Sequence, residues 1–136
     1  MNRNETTLPH RSPRTVLNAV GITLAGAVLV IGCGERVVSF SADVKPILDK
    51  RCVECHVPGE PGYEASGLEL TSYAALMAGT RYGPIVEPGD PLISVLNQLV
   101  EGRADPSIAM PHGGQRLPDS EIATLRDWVA QGARDN

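Results

Sequence analysis

Cys52 and Cys55 lie three residues apart, and His56 follows at once, in the run Cys52-Val53-Glu54-Cys55-His56. A C-x-x-C-H run is the sequence that attaches a c-type haem. On one turn of helix the two thiols reach the two vinyl groups of a single porphyrin. The His that follows then places an imidazole nitrogen beneath the iron. Cys52 and Cys55 are therefore the expected thioether positions, and His56 is the expected proximal iron ligand.

Two other chemistries use the same Cys pair. C-x-x-C is also half of a zinc site, or the redox pair of a thioredoxin-like protein. Zinc needs four ligands, and Cys33 and His10 belong to the N-terminal segment. Cys52, Cys55, His56 and His112 would then be the whole supply. A thioredoxin-like pair follows a strand and opens a long helix. Here a helix is expected before the motif, and Val57-Pro58-Gly59 breaks the chain after it.

A six-coordinate haem needs a distal ligand, and the downstream candidates are Met77, Met110 and His112. Met77 lies between Leu76 and Ala78 in an expected short helix, where it suits core packing. Met110 lies in a loop and is followed by Pro111 and then Gly113-Gly114, residues that can hold a loop against a flat group. Met110 is the expected distal ligand, with His112 as the alternative at lower potential. The free nitrogen of His56 needs an orienting partner, for which the carbonyls of Pro58 and Pro61 are near in sequence.

The elements that would position these groups are four short helices and no strand, an all-α fold. The first leads into the motif. Val44, Ile47, Leu48, Cys52 and Cys55 form one helical stripe, with Asp43 as cap and Pro46 in the first turn. The second spans 72–78, capped by Thr71 and stopped by Gly79. The third spans 91–101, capped by Asp90, with Leu92, Val95, Leu96 and Leu99 as its buried face. The fourth spans 120–131, capped by Asp119 and ended by Gly132. Its stripe is Ile122, Leu125 and Val129, with Trp128 beside it.

The chain has 136 residues, 42% hydrophobic but only 4% aromatic. Such a small domain gains from an apolar cofactor at its centre. Residues 1–32 read as a signal peptide. Arg3, His10, Arg11 and Arg14 form a basic region, and 16–31 is an apolar stretch too short to span a bilayer. It closes in Val30-Ile31-Gly32-Cys33, which resembles a bacterial lipobox with Cys33 as the lipidated residue. An uncleaved anchor helix is the alternative. Residues 33–39 are then a linker, 40–133 the domain and 134–136 a tail. From Cys33 onward there are nine Lys/Arg against fifteen Asp/Glu. That balance lacks the basic face a nucleic-acid binder needs. No Ser/His/Asp set, paired-carboxylate site or phosphate loop stands out, so no enzyme activity is expected.

The order of motifs resembles the planctomycete-type cytochrome c domain over roughly residues 40–133. Phe40-Ser41-x-Asp43-Val44-x-Pro46-Ile47-Leu48 with the C-x-x-C-H run is similar to its opening. Ser66-Gly67-Leu68-x-Leu70, Ser72-Tyr73 and Val86-x-Pro88-Gly89-Asp90-Pro91 are similar to its middle. Met110-Pro111 and Leu117-x-Asp119-x-Glu121-Ile122-x-x-Leu125-x-x-Trp128-Val129-x-x-Gly132-Ala133 are similar to its close. The resemblance implies a small cytochrome c-like fold around one covalent haem c, with first and last helices packed together and Met110 as distal ligand. His112 and Gly113 depart from the second Pro and basic residue that often follow Met-Pro in this family. The expected function is single-electron transfer between redox partner proteins on the periplasmic side of a bacterial membrane, with the domain anchored through Cys33. The rival expectations are a small-ligand sensor or minor peroxidase with a labile Met110, and a non-haem zinc or thiol–disulfide module.

Overall fold

The computed structural model describes residues 36–136, and the signal and Cys33 lie outside them. Among the described residues the fold is all-α, with five helices: α1 (Lys45–Arg51), α2 (Pro61–Ser66), α3 (Tyr73–Ala78), α4 (Val95–Val100) and α5 (Asp119–Ala130). A π turn at Phe40–Val44 runs directly into α1, and a 3-10 turn spans Pro106–Ile108. Among the described residues there is no strand, only an isolated bridge between Thr80 and Gly83.

The first helix begins earlier than expected. Ser39, not Asp43, is its cap: the Ser39 hydroxyl accepts from Ala42 N at 3.2 Å, and Asp43 accepts from Ser39 N at 2.8 Å. This reciprocal pair satisfies two N–H groups that a helix start leaves free. The π turn then closes Lys45 N onto Phe40 O. The wider turn sits just before Pro46, which has no N–H to give to the preceding turn.

The first and last helices pack together as expected. Arg51 at the end of α1 grips Glu121 in the first turn of α5 through two parallel bonds, Nε to Oε2 at 2.9 Å and Nη2 to Oε1 at 3.0 Å. Phe40 and Tyr73 meet edge to face at 5.2 Å, and Phe40 lies 5.6 Å from Trp128. Trp128 is 1% exposed, and its indole N–H donates to Arg134 O at 3.0 Å. The α5 stripe is as expected: Ile122, Leu125 and Val129 are all buried.

Other elements differ. α3 is capped by Ser72, whose hydroxyl accepts from Ala75 N at 3.1 Å, rather than by Thr71. Asp90 does cap a turn, accepting from Leu92 N and Ile93 N, but the helix proper starts only at Val95. Ser94 interrupts it. Its hydroxyl donates to Asp90 O at 2.8 Å and accepts from Glu87 N at 2.8 Å, which holds residue 94 extended. The helix is thereby rotated: Leu96, Asn97 and Val100 are buried, while Leu92 and Val95 are exposed. α2 was not expected; it buries no residue fully, so it carries no periodic apolar signal.

Neither flank of the domain is a free segment. Val38, in the expected linker, is part of the core. Asn136, in the expected tail, bonds Phe40 N through its side-chain oxygen at 2.8 Å. Its main-chain carbonyl accepts from Ser41 N at 2.9 Å.

Candidate haem site

The Cys motif is a turn rather than a continuation of helix. Cys52 N and Val53 N both converge on Leu48 O, at 2.9 and 3.0 Å, and this closes α1 at Arg51. Cys55 N and His56 N then both return to Cys52 O at 3.1 Å. The expectation of two thiols on one helical face is corrected accordingly. Cys52 is half-buried and packs against the core, while Cys55 is exposed. Burial pushes the Cys52 thiol up to about 11, with Glu121 and then Cys55 adding to the shift and Arg51 opposing it. Both cysteines are free.

His56 is 8% exposed. Its carbonyl accepts from Leu70 N at 3.0 Å, which ties the motif to the strip after α2. Burial lowers the imidazole pKa, and the Leu68 backbone partly opposes this. The ring is thereby favoured in its neutral form, the form that ligates a metal. Nδ1 is buried with no partner that meets hydrogen-bond geometry, so the Leu68 backbone acts on it only as a weaker electrostatic neighbour. The backbone set beside the ring belongs to Gly62 and Leu68, where the sequence points to Pro58 and Pro61. A Cβ on Gly62 would lie 2.9 Å from His56 Cε1 and 2.7 Å from Cys55 O. α2 brings this glycine in, anchored by Tyr63 N donating to Cys55 O at 3.1 Å.

Met110 is partly buried against the core. It lines a cavity of about 160 Å³ together with Leu99, Val100, Ala109, Pro111 and Arg116. Its N–H donates to Leu99 O at 3.4 Å, which holds the loop to the end of α4. The Met110–Pro111 bond is cis. Met77 is also partly buried on the core, while His112 is exposed.

The motif donors fit a c-type haem: two free thiols on one turn and a buried imidazole favoured in its neutral form. Met110 lines a separate cavity to which no residue of the motif contributes. The motif donors do not fit zinc. Among the described residues, no three or more of His, Cys, Asp and Glu are grouped to hold an ion. Cys52, Cys55, His56 and His112 are therefore not brought together as a four-ligand set.

Two residues of the site region went unforeseen. Gly62 gave no signal, since its role depends on what it touches. Asn97 is 0% exposed, and both its amide atoms lack a partner. Asn97 is one of two adjacent polar residues, with Gln98, in the otherwise apolar helix Val95–Val100, and nothing in that pattern says which of the two is buried.

Comparison with known proteins agrees with this geometry. Residues 52–113 match the family model described as Planctomycete cytochrome C. Over 55 residues the chain is 40% identical to hydrazine synthase subunit alpha of Kuenenia stuttgartiensis. That stretch is 40% of this chain and 7% of the relative, so the chain spans only a small part of that protein. No solved structure matches the chain.

Proposed function

We propose that this chain, whose residues 52–113 match the Planctomycete cytochrome C family model, is a monohaem c-type cytochrome. It passes single electrons between redox partner proteins on the periplasmic side of a bacterial membrane. The observation that carries the reading is the turn itself: two free thiols, Cys52 and Cys55, followed directly by the buried imidazole of His56.

When bound, haem c supplies a one-electron couple. Cys52 and Cys55 hold it through thioethers, so it stays through repeated turnover. His56 would supply a ligating nitrogen, with the Gly62 backbone close against its ring. Met110 would supply a sulfur from a loop tied to Leu99. Ligation by one thioether and one imidazole would favour the reduced state more than two imidazoles would. Held by His56 and Met110 together, the haem would offer no open position to a substrate, and the chain would act as a carrier. The hydrazine synthase relative shares too little of its length for its activity to be carried over.

Cys33 is the proposed lipid attachment, which keeps the domain at the membrane. Among the described residues no helix is long and apolar enough to cross a bilayer.

A pyridine haemochrome assay on protein made with the c-type maturation machinery tests the reading, together with mass spectrometry of the peptide containing Cys52 and Cys55. One haem per chain bound to that peptide is expected. Absence of covalent haem would overturn it. Carbon monoxide should bind the reduced protein slowly and incompletely; rapid, complete binding would contradict a closed carrier.

A further inference from the structure

Residues 36–41 form a strap held to the end of the domain by two side-chain amides. Gln131 accepts from Val38 N at 2.8 Å and donates to Arg36 O at 3.1 Å. Asn136 accepts from Phe40 N at 2.8 Å and donates to Val38 O at 3.3 Å. The bonded backbone groups belong to residues 36, 38 and 40, the period of an extended chain. Each amide thus serves the strap as a neighbouring strand would. Ser39 and Ser41 hydroxyls add bonds to Asn136 O at 2.7 and 2.9 Å. Val38 and Phe40 turn inward and are each 5% exposed. Val37 turns outward and is 63% exposed, and the Arg36 side chain is 71% exposed while paired to Asp43 at 3.1 Å.

Only Gly34 and Glu35 separate Cys33 from Arg36. At 3.8 Å between successive Cα atoms, Cys33 and Arg36 can be no more than about 11 Å apart. A free linker over 33–39 would have allowed about 25 Å. We propose that the strap makes the lipid attachment an orienting one, so that the edge formed by residues 36–42 lies against the headgroup surface of the bilayer. The inference rests on the reading of Cys33 as lipidated. Arg36 is paired with Asp43, so the charge of this edge is internally balanced, and the exposed Val37 is the side chain that can reach toward the acyl boundary. A domain on a long flexible tether would sample all orientations; a strapped domain presents one.

The test uses the reduced, lipidated holoprotein in vesicles that carry a nickel-chelating headgroup. A nitroxide is placed on Ala42→Cys, an exposed position beside the strap. With Cys52 and Cys55 bound to haem and Cys33 acylated, this is the only free thiol. A second protein carries a flexible Gly-Ser insertion of about a dozen residues between Gly34 and Glu35, which adds up to roughly 40 Å of reach. Strong nickel broadening is expected with the native tether, falling with the long tether toward the level of the released Cys33→Ser protein. Equal broadening with both tethers, high or low, would overturn the proposal while the protein remains in the membrane fraction. Loss of the native protein from that fraction, with no acyl mass on Cys33, would overturn the lipid reading and the proposal together.

Discussion

Gly62 lies against the imidazole of His56 so closely that a Cβ at position 62 would come within 3.0 Å of Nδ1. The same Cβ would be 2.7 Å from the carbonyl oxygen of Cys55, which is backbone and cannot swing aside. Gly62→Ala should therefore move the Cys55–His56 turn rather than one side chain. Overpacking of this kind costs about 1–3 kcal/mol. The specific expectation is a changed proximal bond: an altered visible spectrum and a shifted reduction potential in whatever holoprotein forms. A spectrum and potential equal to the parent protein would show that the ring does not depend on this contact.

Asp43 ties stability to acid pH. Its carboxylate sits below its ordinary value of 3.8, first because it accepts from the Ser39 N–H and then because of Arg36. A carboxyl whose folded pKa is depressed binds its proton more readily when unfolded. Its contribution is therefore full above about 3.8 and is lost as pH falls through the folded value. Asp43→Asn should lower the denaturation midpoint at pH 7 and have a smaller effect well below pH 3. Equal losses at both values would place the residue's role outside its charge.

Asn97 is fully buried on α4, and neither amide atom has a partner. Leaving such groups unpaired costs about 1–3 kcal/mol. Asn97→Leu keeps a similar size and removes that cost, so chemical denaturation should show a gain of about that order. A loss of stability would mean that the amide is partnered in the holoprotein.

Met110 and His112 separate cleanly. Met110 is half-buried at a cavity, and His112 points to solvent. Met110→Ala should abolish the weak far-red iron–sulfur charge-transfer band and lower the potential, while His112→Ala should leave both as they are. The opposite pattern would move the distal bond to His112.

What the sequence made legible follows from the range of the forces involved. The α5 stripe of Ile122, Leu125 and Val129 is a local pattern and appears as expected, whereas the C-x-x-C-H run folds as a turn rather than as the expected helical face. The start of α1 was misplaced because Ser39 and Asp43 are both good caps, and only their mutual bonds decide between them. α4 is shorter than its sequence pattern because Asp90-Pro91 is a proper helix opening that Ser94 then redirects. α2 was invisible because Pro61–Ser66 buries no apolar side chain. The strap looks like a linker in the sequence because its partners, Gln131 and Asn136, lie more than ninety residues away in the chain. At the site itself, the donor residues are residue types in a row and were named from sequence. Gly62 and Leu68, which surround His56, are defined by contact and could not be.

The most direct test of the account is the visible and near-infrared spectrum of the purified protein in both oxidation states. A single low-spin haem is expected, with a sharp reduced α band, a far-red sulfur band in the oxidised form, and haem that stays with the polypeptide after acidified organic extraction. Extractable haem, or no haem band at all, would contradict covalent attachment at Cys52 and Cys55. A high-spin spectrum would contradict the His56/Met110 pair.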